Sequence, residues 1–252
     1  ESLPAPQIKK DSPEVRSLFY FRLPCPTGDT PVTPPDIVTS RQNHHNVSMA
    51  IEDFIESKNI RLDQQLRFSA EIDKMTSIFR HTMLINKSRR ENDAEHSWHI
   101  AVMAMLFQEY AAEPVDISHV IKMCVVHDLV EIYAGDTFAY DPKANEDKTL
   151  REQKAADKLF AQLPAEQGKE IRMLWEEFDA TETPDAKYAA CMDTLQPLLH
   201  NTLTDGHTWA ESGTNRAAVE KRASVIKSFM PEVYKWVEKN IQNAISKGWQ
   251  KE

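Results

Sequence analysis

Three ionisable side chains interrupt an apolar stretch in the middle of the chain. His127, Asp128 and Glu131 lie within the otherwise apolar segment 123–132 (MCVVHDLVEI). Burying such groups costs free energy unless they are paired or bind a metal ion. Because residues three and four apart share one face of a helix, the three side chains can converge on a single point. The triplet therefore fits either a functional site or a hydrogen-bonded cluster in the core.

Two other segments carry the same kind of signal. His96 and His99 begin an apolar helical stretch that follows the charged residues 89–95 (RRENDAE), and Asp193 lies within the apolar segment 188–195. A lone histidine on an apolar helix is commonly an ordinary core residue, whereas a buried carboxylate needs a cationic or metal partner. Each signal is weak by itself. Their order along the chain, His, then His-Asp with Glu three residues later, then Asp, is much more specific.

In this order the motif resembles the HD-domain superfamily of metal-dependent phosphohydrolases, over roughly residues 62–205, and especially the branch that contains 5′-deoxynucleotidases. The resemblance implies four metal ligands: His96, His127, Asp128 and Asp193. It also implies that Glu131 is the catalytic acid, that Asp136 is a second acidic site residue and that Arg80 binds phosphate. The position after that arginine is typically aromatic in this branch, and it is His81 here.

The implied ligand set indicates both a cofactor and a chemistry. Two imidazoles and two carboxylates suit one divalent transition metal, Mn, Co, Fe, Ni or Zn. Such an ion lowers the pKa of a bound water and polarises phosphorus. We expect Glu131 to assist proton transfer, Asp136 to orient it, and Arg80 to clamp the phosphate with help from Arg89 or Arg90. A solvated basic turn is the alternative for Arg89 and Arg90.

The expected substrate is a small phosphorylated molecule, a (deoxy)nucleoside 5′-monophosphate. A nucleoside triphosphate or alarmone hydrolase is the alternative, and it would need extra basic residues around the pocket. The loop 137–148 offers two lysines, but it also contains Asp141, Glu146 and Asp147. This balance of charge favours a monophosphate.

Two further alternatives differ in class. Relatives with two metal ions need more histidines between the His-Asp pair and the last Asp, and none occurs between His127 and His200. This absence favours a mononuclear hydrolase over a di-iron oxygenase or a two-metal phosphodiesterase, although aspartate or glutamate side chains could complete a second site. A catalytically silent helical binding or scaffold protein would be expected to lack a ligand or Glu131, and all of them are present.

The elements that must position these residues are predicted to be all helical, as in an HD-domain bundle. From Val47 onward apolar residues recur at spacings of three and four. Helices are predicted at about 47–57, 62–79, 95–112, 116–132, 148–162, 167–178, 184–203, 214–229 and 231–247. Asp116 is a plausible N-cap, Pro184 begins a helix, and Pro231 divides the C-terminal run. Eight of the 14 prolines precede residue 47. They predict an extended or loosely packed Pro-rich extension over 1–46, before a helical domain over 47–252.

Composition limits the partners and the compartment. A net charge of −9 repels polyanions, so no nucleic-acid polymer is expected as a partner. No apolar run reaches the roughly 20 residues that span a bilayer, so no membrane partner is expected. The N-terminus lacks the order of a signal peptide, and three scattered cysteines form no disulfide framework. We therefore expect a cytoplasmic protein, and the resemblance implies a homodimer.

Overall fold

The computed structural model describes residues 56–252. The extension predicted for 1–46, and nearly all of the helix predicted for 47–57, lie outside these residues. Within them the chain is helical apart from one two-stranded sheet, so the all-α prediction is confirmed. None of the described helices is both long enough and apolar enough to traverse a lipid bilayer.

Eleven α-helices make up most of the described residues. The first four, which lead into the candidate site, are α1 Ile60–Ile72, α2 Asp93–Leu106, α3 Ile117–Val126 and α4 Glu131–Ala134. The next three are the long helices α5 Lys148–Phe160, α6 Ala165–Ala180 and α7 Pro184–Leu203. The C-terminal four are α8 His207–Ser212, α9 Arg216–Arg222, α10 Ser224–Phe229 and α11 Pro231–Ser246.

The helix ends follow their capping residues. The Asp116 side chain accepts hydrogen bonds from the first backbone N–H groups of α3, which confirms it as the N-cap. Pro184 and Pro231 each occupy the first turn of a helix, as predicted. Asn92 and Glu95 form a reciprocal capping box at the start of α2. These caps fix where α2, α3 and α7 begin; α2 and α7 carry candidate site residues, and α3 leads directly into His127 and Asp128.

A β-hairpin replaces the end of the helix predicted for 62–79. That helix stops at Ile72, a 3-10 helix covers Asp73–Ser77, and strand β1 follows at Phe79–Met83. It pairs antiparallel with β2 Arg90–Asn92. Burial alternates along β1, so Arg80 and Thr82 both face inward. The prediction missed the hairpin because its strands are too short to show a period.

The helix predicted for 116–132 is also interrupted. α3 ends at Val126. In the segment that follows, several backbone N–H groups donate hydrogen bonds to the carbonyl oxygen three residues earlier, including Glu131 N to Asp128 O at 2.9 Å. In such a 3-10 geometry side chains three apart lie over one another. Glu131 is thereby brought over Asp128, and the short α4 begins at Glu131.

The C-terminal helices differ from the prediction in one more way. The run predicted as one helix over 214–229 is divided into α9 and α10 at Ala223, and α8 was not predicted. α7 is the central helix of the bundle, since it contacts α2, α3, α6 and α10. Its residues Tyr188, Met192 and Leu195 are buried in the core. A residue that α7 directs inward therefore meets side chains from several other helices.

Gly168 is required where α5 and α6 pack together. A methyl group at Gly168 would lie 2.3 Å from the backbone oxygen of Phe160. Alanine favours a helix over glycine by about 1 kcal/mol, but overpacking against a backbone atom costs about 1–3 kcal/mol or more. We therefore expect Gly168→Ala to lower the free energy of unfolding, as measured by denaturant titration. The exposed neighbour Lys169 provides the control, because Lys169→Ala should change stability by less than about 0.5 kcal/mol.

Candidate metal centre

Side chains from three segments converge on one point. His96 comes from α2, His127 and Asp128 follow α3, and Asp193 comes from α7. His96 Nε2 lies 3.0 Å from Asp193 Oδ1 and 3.9 Å from Asp128 Oδ2. His127 Nε2 lies 3.0 Å from Asp128 Oδ2 and 3.8 Å from Asp193 Oδ1. Candidate ligand atoms of His96, His127 and Asp193 all lie within 4.8 Å of one another, and Asp128 Oδ2 adjoins both imidazoles, as donors around one metal ion would.

The hydrogen-bond partner of each Nδ1 atom determines where the proton of each imidazole lies. His127 Nδ1 lies 2.9 Å from the carbonyl oxygen of Cys124, which can only accept, so Nδ1 carries the proton. His127 Nε2 is buried and has no hydrogen-bond partner. His96 Nδ1 likewise lies 3.1 Å from Gln196 Oε1. Each Nε2 therefore turns a lone pair towards carboxylate oxygens, an arrangement that a divalent cation would stabilise.

The ionisation of these groups agrees with that donor set. Burial, with the charge of Arg80, lowers the pKa of His96 to about 4, so its imidazole is neutral at pH 7. Burial opposes the charge of Asp128 and of Asp193, but neighbouring cationic groups outweigh it and hold both pKa values below the usual range. Burial also opposes protonation of His127, but Asp128 raises its pKa, so a proton and a metal ion compete for Nε2.

Arg80 lies beside the four donor atoms. Its Nη1 donates a hydrogen bond to Asp128 Oδ2 at 2.8 Å, and its Nη2 is 3.9 Å from Asp193 Oδ1. Burial opposes the charge of the guanidinium, but Asp128 and Asp193 outweigh burial and raise its pKa. Arg80 therefore stays cationic in a site that is otherwise rich in carboxylates.

A second group of acids lies beside these donor atoms: Glu131 and Asp136 line the same pocket as Asp128 and Asp193, and the buried Asp93 adjoins them. Ligand oxygens of Asp93, Glu131 and Asp136 lie within 4.8 Å of one another. Asp93 is fully buried, and neither of its carboxylate oxygens has a hydrogen-bond partner. Burial and the charge of Asp128 raise the pKa of Asp93 to about 7 and raise that of Glu131 well above its usual range. This group can retain protons at neutral pH, and its oxygens are also the ligands that hard cations prefer.

The other two predicted arginines lie away from the pocket. Arg89 forms a bidentate pair with Glu95, and Arg90 pairs with Glu211 on α8 at 2.9 Å. Both side chains are exposed, and neither lines the pocket. The hairpin explains this result, because Arg80 points inward from β1 whereas Arg89 and Arg90 extend outward at the start of β2.

The structure adds pocket residues that sequence reasoning missed, Arg222 among them, and places Lys148 of the loop 137–148 in the lining. Arg222 on α9 contacts Asp193 Oδ2 at 3.2 Å, and Lys148 lies 3.5 Å from Glu152. Aromatic rings form the rest of the wall: Phe138, Tyr140, Trp175, Phe178 and Trp209. Arg222 and Trp209 come from the part of the chain whose helices were predicted least well. No sequence motif connects them to the metal ligands.

The fold and the site together define a helical protein whose inward-facing histidines and aspartates converge on a candidate metal centre. The HD domain family matches residues 72–234, which is most of the chain, and the chain belongs to that family. A crystal structure from Magnetospirillum magnetotacticum, described as a predicted metal-dependent phosphohydrolase, is 46% identical. It aligns over 79% of this chain and all of that protein, with a TM-score of 0.74.

Curated relatives match over shorter stretches. Human 5′-deoxynucleotidase HDDC2 is 29% identical over 114 residues, which cover 45% of this chain and 54% of the human protein. The Schizosaccharomyces pombe 5′-deoxynucleotidase hdd1 is 24% identical, over 63% of this chain and 72% of that protein. The chain thus spans about half the length of the human relative and 72% of the length of the yeast relative. A structure from Pyrococcus furiosus, 20% identical with a TM-score of 0.50, shares the fold.

The donor set predicts how metal binding depends on Asp193. Asp193→Ala removes one ligand and leaves His96 Nε2 without its nearest carboxylate, so Mn²⁺ affinity should fall by at least about 100-fold. Isothermal titration of the chelator-treated protein measures this loss and the number of ions bound. Asp205→Ala is the matched control, because Asp205 is an exposed aspartate that pairs with Lys87 at the surface. Equal affinity in the two variants would contradict the proposed centre.

Proposed function

We propose that this protein is a metal-dependent phosphohydrolase that releases phosphate from a (deoxy)nucleoside 5′-monophosphate. The observation that carries the proposal is the convergence of four metal-type donor atoms beside a buried arginine and a buried carboxylic acid in one pocket. The names of the relatives agree with this class of reaction. The donors that would hold the ion are His96, His127, Asp128 and Asp193.

Each neighbouring group then has a separate task. A divalent ion held by these donors would supply an acidified water and a polarised phosphoryl group. Arg80 would bind the phosphate oxygens through the face of its guanidinium that lines the pocket, and its planar fork matches the phosphate geometry. Because Arg80 is already held by Asp128, it needs little reorganisation to receive the phosphate.

Glu131 is suited to donate a proton to the leaving oxygen. Its carboxyl group is buried, and burial together with Asp128 and Asp93 raises its pKa well above the usual range, which favours the protonated form. A 5′-oxygen that leaves phosphorus as an alkoxide needs such a proton. Asp136 lines the same pocket and would orient the Glu131 carboxyl group.

The charge around the pocket supports a monophosphate. Three cations line it, namely Arg80, Lys148 and Arg222, against six carboxylates: Asp128, Glu131, Asp136, Glu152, Asp179 and Asp193. Of the charged residues in 137–148, only Lys148 lines the pocket. A triphosphate would bring more negative charge into this acidic surrounding, with few cations to receive it.

The walls of the pocket support a nucleoside as the group that carries the phosphate. Aromatic side chains provide flat apolar surfaces that stack on bases and sugars. His81 packs against Phe138 with ring centroids 4.3 Å apart, so the hairpin and the loop after Gly135 form one wall. His81 thus occupies the position of the aromatic residue expected after Arg80, and it presents an aromatic ring there.

Phosphate release tests the proposal directly. The chelator-treated protein should release little phosphate from a panel of nucleoside and deoxynucleoside 5′-monophosphates, and added Mn²⁺ or Co²⁺ should restore release. Asp128→Ala should abolish the metal response. Triphosphates in the same panel test the alternative substrate class. Activity that is indifferent to both chelation and Asp128→Ala would exclude a metal role, and silence with every phosphate ester would favour a binding protein.

Replacing Glu131 separates proton transfer from metal binding. Glu131→Gln keeps the size of the side chain but removes the acidic proton, so kcat should fall by about 10²–10⁴-fold while Mn²⁺ affinity changes little. Rate measurements at saturating substrate, with titration of Mn²⁺, give both numbers. Glu146→Gln alters an exposed acid outside the pocket and should leave kcat unchanged. If Glu131→Gln lost the metal instead, Glu131 would be a ligand.

A further inference from the structure

Gln196 lies directly behind the candidate metal centre. It is on α7, three residues after Asp193, and its side chain is fully buried. The two hydrogens of its amide nitrogen face two acceptors, the Glu91 carboxylate and His200 Nε2 at 3.1 Å, and His99 Nδ1 lies 3.3 Å from the same nitrogen. Glu91, His99 and His200 have the composition of a metal site, but the amide nitrogen of Gln196 lies within hydrogen-bond distance of all three.

These acceptors determine which way the amide points. His200 Nδ1 lies 2.9 Å from the backbone oxygen of Met83, so Nδ1 carries the proton and Nε2 carries a lone pair. A carboxylate also offers only lone pairs. The nitrogen end of the Gln196 amide must therefore face Glu91 and His200, because its oxygen would be repelled there.

The oxygen end of the amide consequently faces His96, the first candidate metal ligand along the chain. Gln196 Oε1 lies 3.1 Å from His96 Nδ1, and an amide oxygen can only accept a hydrogen bond. His96 must then carry its proton on Nδ1, which leaves the lone pair on Nε2. This lone pair is directed at Asp193 Oδ1, 3.0 Å away. Only this tautomer can bind a metal ion through Nε2.

We propose that Gln196 is a positioning residue that holds His96 in the tautomer required for metal binding. The inference deepens the proposed function and rests on one part of it, namely that His96 binds a divalent metal ion. Without the Gln196 oxygen, the proton of His96 would move to Nε2, where Asp193 accepts it at 3.0 Å. A metal ion would then have to displace that hydrogen bond before it could bind.

The substitution Gln196→Met tests this role, because methionine keeps the length of the side chain and removes both amide functions. Nitrogen-15 NMR of the metal-free protein reports which imidazole nitrogen of His96 carries the proton. We expect the proton on Nδ1 in the wild type and a shift towards Nε2 in Gln196→Met. Mn²⁺ affinity, measured by isothermal titration, should fall by about 10–100-fold.

Two further variants distinguish positioning from general damage to the core. Gln162→Met removes an amide that donates to the Tyr133 hydroxyl, far from the ligands in sequence, and should leave Mn²⁺ affinity unchanged. Glu91→Gln alters the same buried cluster but still offers an oxygen to the Gln196 amide nitrogen, so it should keep Mn²⁺ affinity within a few-fold of the wild type. General damage to the core would lower the affinity of Glu91→Gln as well as that of Gln196→Met.

The proposal is overturned if the wild-type protein carries the His96 proton on Nε2, or if Gln196→Met binds Mn²⁺ as tightly as the wild type. The NMR measurement on the wild type stands even if Gln196→Met does not fold. Failure of the proposed function has a different signature. The wild type would then show the Nδ1 proton and bind Mn²⁺, yet release no phosphate from any ester.

Discussion

The mutual repulsion of buried lone pairs is the constraint on which this structure depends. Two imidazole nitrogens and two carboxylates turn their lone pairs towards one space, and more carboxylates than cations surround it. Charges removed from water are costly unless an opposite charge meets them at close range. Arg80 supplies part of that charge in the protein itself. A divalent cation would supply the rest, which explains why such an unfavourable set of side chains is brought together.

The scaffold holds this set on helices and on the tight turn that directly follows α3. α2, α3 and α7 pack against one another and bring their ligands to the shared core, while β1 inserts Arg80 from the side. Pro197 lies inside α7, four residues after Asp193. Because proline has no backbone N–H, it cannot donate the usual helical hydrogen bond to the Asp193 carbonyl. Ligands fixed on packed helices lose little entropy when an ion binds, because their positions are already determined.

The same pocket keeps acids of similar type in different protonation states. Asp128 and Asp193 lie against cationic groups, which hold their pKa values low, whereas Glu131 and Asp93 are buried among other carboxylates, which raise theirs. Environments that separate the pKa values of neighbouring acids are typical of sites that carry out acid and base chemistry. In the proposed reaction the ionised pair would hold the metal and the protonated Glu131 would serve the leaving oxygen.

The sequence by itself determined the helical class and the identity of the central residues. The apolar period of three to four predicted α7 with its observed bounds, and the order of the histidines and aspartates singled out four side chains that the fold does bring together. Local patterns carry such information because a helix and its caps depend on neighbours in the chain. Arg80 was also identified, although it lies on a strand and not on the predicted helix.

Only the tertiary structure decided which other groups complete the pocket. Arg89 and Arg90 pair with surface acids, while Arg222, Lys148 and Trp209 line the cavity. Gln196 reaches His96 across a hundred residues of sequence. Hydrogen bonds and charges act over a few ångströms of space, so their partners depend on how the helices pack. A pattern confined to neighbouring residues in the chain does not contain that information.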